Sequence, residues 1–466
     1  MKNVVRFLTS LLAVVSLTAC NQHFLSDADE RAKVEQDCAA RLSKLPVVDQ
    51  LDVLLSLADT YEQEALHYLY AYMPMADVAD EPCTYHYMNI QSARKARKRM
   101  PWGGKLPDEL FREYVFPARV LDEPTDSAKV FFYERLNEQL RKFSACEAVK
   151  AVNTYCGQRA VYRPDGTRTA APQATLRSAS GTWTELSVMV ASALRAVAIP
   201  ARVVCEPTGE PAPEDKAWVE AWYDGEWHSL LPCYPDVEVS ADGSFAAWPE
   251  PATGLPQTQF ARLMSHDDAL RFATLYKLPQ EEEAVRLLTS ALGNHSAISN
   301  FMARLRSDKS KKGGFDMMSR LSDEDLRDIS LQDLIDHMQS HVRTNAELFN
   351  QYVRNPRIDD EVISPYKVAL NKKFSQSQAD DFAARPELLA EWVSTNIEVD
   401  SLCNVGAPPI SPLGVWYNRV ADAHSRDIFF VALARSLGIP ARIDKETGAV
   451  IAYYADGREQ PISFLR

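Results

Sequence analysis

Residues 187–204 read SVMVASALRAVAIPARVV, and residues 427–444 read DIFFVALARSLGIPARID, at an offset of 240. In the first stretch Leu186, Val190, Leu194 and Val197 fall near helical spacing, which predicts an amphipathic helix. The helix must stop at Ile199-Pro200-Ala201-Arg202, because proline cannot continue it. The β-branched Val203 and Val204 then open a strand. Working outward, YVFPARVLDEPTDSAKV (114–130) recurs as YVRNPRIDDEVISPYKV (352–368) at an offset of 238. That register pairs Tyr114 with Tyr352, Arg119 with Arg357, Asp122 with Asp360, Glu123 with Glu361 and Lys129 with Lys367. Downstream, AWVEAWYDGEW (217–227) corresponds to AVIAYYADGRE (449–459) at an offset of 232. Three motifs in one order at nearly constant spacing predict an internal duplication. Each copy places a helix before antiparallel strands, with hairpin turns at Asp224-Gly225 and Asp456-Gly457. The fold class expected is α+β rather than a doubly wound parallel sheet.

The remaining sequence sets the frame. A chain of 466 residues, 46% hydrophobic and 25% charged, is long enough for two or three domains and too rich in core-formers for global disorder. Its net charge of −13 lacks the electrostatic footprint of a nucleic-acid binder. Lys2 and Arg6 followed by the apolar run Phe7 to Leu17 form a leader too short to span a bilayer. It ends in Leu17-Thr18-Ala19-Cys20, which resembles the lipobox of bacterial lipoproteins and implies a diacylated Cys20. Loss of Lys2 and Arg6 with the leader takes the charge from −13 to −15. Asn21 in place of aspartate favours, by that resemblance, the outer membrane of the cell envelope. The expected organisation is a signal peptide (1–20), a tether (21–31), a helical N-terminal region (32–110), a first copy (111–248), a mainly helical connection (249–345) and a second copy (346–466). Within the connection, Ser307–Gly314 is expected to interrupt the helices as a mobile loop. Pro207–Pro213 and Pro249–Pro256 are expected to be rigid loop segments.

Residues 177–233 are similar to a transglutaminase-like domain of the papain-like thiol superfamily. The resemblance rests on Ser180-Gly181-Thr182-Trp183, Ala193-Leu194-Arg195-Ala196, Ile199-Pro200-Ala201-Arg202, Ala217-Trp218-Val219-Glu220 and Trp227, and extends from about residue 110 to the C-terminus. It implies a cysteine opening the helix, a histidine on the facing strand and an aspartate orienting it. Carried over by position, those sites hold Trp183, Lys216 and Leu231. The second copy holds Ala423, Gly448 and a residue among 460–462. An indole is no nucleophile, a protonated lysine cannot accept a thiol proton, and leucine orients nothing.

Other residues offer substitutes. Thr182 and Thr184 flank the expected nucleophile and could pair with Lys216, although threonine at a helix start reads first as a cap. Cys205 and Cys233, on neighbouring strands, predict a disulfide or two half-buried thiols, with a relocated nucleophile as the alternative. His228 reads as a surface or packing histidine. The run from Asp422 to Asp427, containing His424 and Ser425, reads as structural, with a polar network or ligand contact as the alternative. His337 and His341 are spaced to share a helix face but lack a third ligand, so solvated histidines are expected and no metal. Arg94–Arg99 reads as a solvated basic face, and Gly103-Gly104-Lys105 lacks the serine or threonine of a phosphate loop, so no cofactor is expected.

The leading expectation is a lipid-anchored module without the family chemistry, binding a peptide or glycan in a cleft offered by Trp183, Lys216, Trp218 and Trp222. The competing one is an active thiol or hydroxyl acyl-transferase or amidase with a rebuilt site; a purely structural pair of domains is the third.

Overall fold

The computed structural model describes residues 23–46, 50–164, 166, 168–206, 216–240, 244–260, 263–276 and 281–464. The leader with Cys20 and Asn21, and the segment 207–213, lie outside the described residues. Among the described residues no helix is long and apolar enough to cross a membrane.

The N-terminal region is helical: α1 (Ala28–Leu42), α2 (Leu51–Leu57), α3 (Thr60–Tyr72), α4 (Met75–Asp80), α5 (Cys83–Arg99) and α6 (Asp108–Tyr114). Asp59 starts α3 through a capping box with Glu62, satisfying two of the backbone donors a helix start leaves open. The next segment holds α7 (Ala128–Leu140), α8 (Ala145–Gly157), β1 (Val161–Tyr162), α9 (Pro172–Ser178), β2 (Ser180–Gly181) and α10 (Trp183–Ala196). There follow β3 (Ala201–Cys205), β4 (Ala217–Tyr223) and β5 (Glu226–Leu230), an antiparallel sheet in the order β3-β4-β5. Helices α11 (His266–Tyr276), α12 (Glu281–Ser290), α13 (His295–Arg304), α14 (Asp308–Met318), α15 (Asp323–Asp328), α16 (Leu331–Met338) and α17 (Ala346–Phe349) make the connection. The chain ends in α18 (Lys367–Asn371), α19 (Gln376–Ala384), α20 (Pro386–Asn396), β6 (Glu398–Val399), α21 (Pro412–Asn418), β7 (Val420–Ala421) and α22 (Ala423–Ser436). Strands β8 (Ala441–Ile443), β9 (Val450–Tyr453) and β10 (Glu459–Pro461) form a second antiparallel sheet. This mixture of helices and small antiparallel sheets is α+β.

Residues 308–314 are helical rather than a mobile loop. Ser307 caps α14 in a box with Ser310, and the two glycines lie where helices approach closely. A Cβ on Gly314 would come within 2.5 Å of Leu305 and 3.0 Å of Phe301. The glycines there serve packing, which single-sequence composition reads as looseness.

The residues shared by the two motif sets carry the same hydrogen bonds. Arg195, at the end of α10, donates from Nε to the Ala201 carbonyl (2.9 Å) and from Nη1 to that of Arg119 (2.8 Å). Arg435 donates in the same way to Ala441 (2.9 Å) and Arg357 (2.7 Å). The Glu123 carboxylate accepts from the Val120 and Leu121 amides (2.7 and 2.8 Å), and Glu361 accepts from Ile358 and Asp359 (2.9 and 2.8 Å). Lys129 is buried and donates to the carbonyls of Val115 (2.7 Å) and Phe116 (2.6 Å); Lys367 donates to that of Val353. Burial first, and the Arg195 charge second, push the Lys129 ammonium well below the ordinary lysine range. Burial likewise holds Arg195 down at about 10. Buried charge is costly unless hydrogen-bonded, so these side chains are tied to irregular backbone that regular structure leaves unpaired.

One apolar core joins the N-terminal helices to both sheet-bearing segments, while residues 269–334 of the connection pack around a core of their own. Helix α4 lies on α21, where Asp80 accepts from the Ser411 amide (2.9 Å) and hydroxyl (2.6 Å). Helix α15 lies on α9.

Candidate functional site

Helix α10 begins at the position that the family resemblance assigns to a nucleophile. Thr182 is its N-cap, in a capping box with Glu185, so this threonine is committed to the helix start. Trp183 takes the first helical position and is only 1% exposed. Its ring stacks on Tyr162 of β1 (4.2 Å between centroids, 14° between planes) and meets Trp248 edge-on at 5.0 Å and Tyr234 at 5.6 Å. The indole therefore fills the interior beside the helix start and offers no open stacking face. Leu231 is buried as well, its carbonyl accepting from Asn153 Nδ2 at 2.9 Å. Lys216 stands half-buried before β4, with Nζ 5.6 Å from the Trp248 ring and 3.9 Å from Glu206.

The expected four-residue cleft is not assembled. Strand alternation turns Ala217, Val219 and Ala221 inward, buried against α10, and sends Trp218 and Trp222 to the opposite face of the sheet. Trp222 packs edge-on to Trp227 (5.6 Å), which is covered by the Arg202 guanidinium at 4.4 Å. Trp218 connects to Trp183 through a relay of edge contacts with Phe245 and Trp248. Trp183 is thus part of the core, whereas Trp218 and Trp222 are half-buried on the outer sheet face.

The proposed substitutes have structural duties. No disulfide joins Cys205 and Cys233: Cys205 is exposed at the end of β3, and Cys233 is buried at a left-handed turn (φ 67°). Burial, with Cys156 nearby, pushes the Cys233 thiol far above its usual range, the reverse of an activated nucleophile. His228 stacks on Tyr223 at 3.8 Å, a packing histidine. His337 is buried, bonded to the Ser364 carbonyl at 3.2 Å and set edge-on to Tyr366, so it is not solvated. His341 lies beyond the end of α16 and shares no helix face with it. In the basic run, Arg94 pairs with Asp59 (2.6 Å) and Arg97 with Asp108 (2.6 Å), leaving Lys95, Lys98 and Arg99 exposed. Gly103 lets its turn approach the Arg97 carbonyl, where a Cβ would stand at 2.1 Å.

Ahead of α22 a polar network does form. Asp422 caps the helix and accepts from the Ser425 hydroxyl at 2.5 Å, and that hydroxyl accepts from the Ile410 amide. His424 Nε2 lies 2.7 Å from Asp360 and 3.7 Å from Asp359; these three are the described residues whose ligand atoms could converge on a metal ion, within 4.8 Å of one another. The Asp360 hydrogen bond, with the charges of Asp359 and Asp422, raises His424 from 6.5 to about 9. A histidine stabilised in its charged form contributes stability that is complete below about 6.5 and lost as pH rises through about 9. His424→Gln is therefore expected to flatten the fall in melting temperature over that window, read by thermal scans at stepped pH. The effect is small, because the side chain is 43% exposed and screened by solvent.

The charges that sequence reading missed lie where the connection meets the two sheet-bearing segments. Glu185 is fully buried; it accepts from the Thr182 and Ala170 amides (2.9 and 3.1 Å) and from Arg327 Nη2 at 2.7 Å. Asp325 receives both Arg168 and Arg357 at 2.5 Å. Asp325, Arg168, Arg327 and Arg357 line a cavity of about 270 Å³ whose arginines all have carboxylate partners. Only the T-W-T-E capping box hinted at Glu185; nothing in the sequence pointed from it to Arg327.

A family model described as the transglutaminase-like superfamily matches residues 134–232 and 368–449. Both segments are transglutaminase-like. The first covers α10 and the β3-β4-β5 sheet, and the second reaches from α18 to the start of β9. No curated protein and no solved structure matches the chain.

Proposed function

We propose that this chain is a non-catalytic binding or scaffold module, built from two transglutaminase-like copies by duplication and held at the bacterial cell envelope by lipidated Cys20. The observation that carries the loss of chemistry is Trp183, which occupies the first position of the helix where the family places its thiol and is stacked into the core. Around it the other family positions hold Lys216 and Leu231, and the second copy holds Ala423 and Gly448. Recurrence of the Arg195, Glu123 and Lys129 hydrogen bonds at Arg435, Glu361 and Lys367 supports the duplication. The scaffold was kept while the reacting groups were replaced by packing groups. Membrane attachment rests on the lipobox alone, with the outer membrane favoured by Asn21.

The test is to incubate purified protein with a peptide-amide substrate and a primary amine while labelling it with a thiol-reactive probe. No turnover is expected, and labelling should fall on exposed Cys205 and Cys146 rather than on buried Cys233. Turnover abolished by Cys205→Ser or Cys233→Ser would overturn the reading in favour of a rebuilt acyl-transferase.

A further inference from the structure

The chain is pinned to the fold almost as soon as the lipobox-like leader ends. Phe24 and Leu25 are 3% and 1% exposed, and their amides donate to the Glu64 carboxylate at 2.7 and 3.2 Å. His23 Nδ1 lies 2.5 Å from the same carboxylate, and Arg31 Nη1 donates to the Leu25 carbonyl at 2.7 Å. Cys20 precedes His23 by three residues, a reach of at most about 11 Å. Acyl chains on Cys20 would therefore hold this end of the molecule against the bilayer. Two flanks border that exit. The start of α1 exposes Asp27, Asp29 and Glu35 against Lys33, a flank that anionic headgroups repel. The other flank is reached through Tyr61, whose ring lies 5.4 Å from that of Phe24 and carries the Arg94 guanidinium at 4.4 Å.

Arg94 belongs to a groove of about 380 Å³ on α3 and α5, lined by Glu62, Gln91, Arg94, Lys95, Lys98 and Arg99. Its one carboxylate is already engaged: Glu62 accepts from the Asp59 amide (3.2 Å) and the Tyr87 hydroxyl (2.9 Å), and stands 3.6 Å from Arg94. Lys95, Lys98 and Arg99 are exposed and make no ion pair among the described residues. Spaced i, i+3 and i+4 at the end of α5, they share one helix face. The groove is thus a cluster of uncompensated cations on a chain whose net charge is −13. Basic clusters beside a lipid anchor supply the second attractive contact that steadies attachment to anionic membranes. We propose that the α5 flank carrying Lys95, Lys98 and Arg99 docks on the phosphate headgroups of an anionic phospholipid surface, with the acyl chains of Cys20 inserted beside it. The inference rests on the lipid-anchor reading above and deepens it, naming the charge of the lipid and the face of the protein that meets it.

The test uses the full chain, expressed with its leader in a bacterial host and purified in detergent. It is placed in vesicles of phosphatidylcholine alone or with about 30% phosphatidylglycerol. Lysines are acetylated with an amine-reactive ester, and each rate is read by mass spectrometry. Lys95 and Lys98 are expected to react about fivefold more slowly on the anionic vesicles, the ratio that one cation's attraction to the surface supplies. Lys309 and Lys312, exposed on α14, should keep their rates. Salt at about 0.5 M should restore both slowed rates, because the attraction is screened. Arg99→Glu should restore them at low salt; circular dichroism checks its fold, and the lipid and salt comparisons on the unaltered chain stand without it. Equal Lys95 and Lys98 rates on the two vesicle types, or protection that survives high salt, overturns the proposal. Protection seen only in intact cell envelopes overturns it in favour of an acidic protein partner. Intact mass separates the two readings: an acylated chain with unprotected lysines sinks this inference alone, and a chain without acyl groups on Cys20 sinks the anchor and the inference together.

Discussion

Trp183→Ala is expected to destabilise the protein by about 3–5 kcal/mol, the range for truncating a buried large aromatic. The side chain is 1% exposed and touches Tyr162, Tyr234 and Trp248, which come from three separate stretches of chain. Removing it takes a partner from all three at once, and the cavity left behind cannot collapse without moving β1. Chemical denaturation followed by far-UV circular dichroism measures the loss. A wild-type-like midpoint would mean that the ring is not core and would return it to the list of ligand contacts. Trp183→Cys carries the same expectation for stability with a sharper one for chemistry. It puts a thiol at the helix start to which the resemblance assigns the family nucleophile, yet Lys216 and Leu231 supply neither base nor orienting group, so peptide-amide turnover should stay at background.

Arg327→Met is expected to cost a similar amount, about 3–5 kcal/mol, through a different mechanism. Removing one partner of a buried ion pair leaves the other charge uncompensated, and that penalty exceeds the net worth of the pair. Glu185 is fully buried, and its own carboxyl is already raised by burial against the pull of Arg327. The double variant Glu185→Gln/Arg327→Met should recover most of the loss. Glutamine carries no charge and can hold the capping box with Thr182. Melting temperatures of the two single variants and the double variant form a cycle that isolates the coupling. If the losses simply add, the pair is not energetically linked, and the connection is held to the first sheet-bearing segment by something else.

Much of the local structure was legible in sequence because it follows from short-range rules. The helix of residues 183–196 and the strands after it are written in apolar spacing and in a proline that stops the helix. The hairpin at Asp224-Gly225 appears as expected, with both residues at positive φ. The recurrence of Arg119, Glu123 and Lys129 at Arg357, Glu361 and Lys367 was also visible, but not its meaning. The structure shows these residues as buried charges that satisfy irregular backbone, a role spacing alone cannot reveal. Loop composition misled at residues 307–314, because glycine reads as flexibility whether it serves a turn or a close helix contact.

The candidate site divides along the same line. That the family resemblance assigns its reacting positions to Trp183, Lys216 and Leu231 comes from the sequence alone, position by position. So do the lipobox-like run ending at Cys20 and the acidic balance that sets the chain apart from nucleic-acid binders. Whether those aromatics form a groove was decided only in three dimensions, where Trp183 turns into the core and alternation places Trp218 and Trp222 on the far face of the sheet. The Glu185–Arg327 pair and the hold of Glu64 on residues 23–25 belong to the tertiary structure entirely. Each is made by residues distant in sequence, and burial is a sum over neighbours that no local pattern encodes.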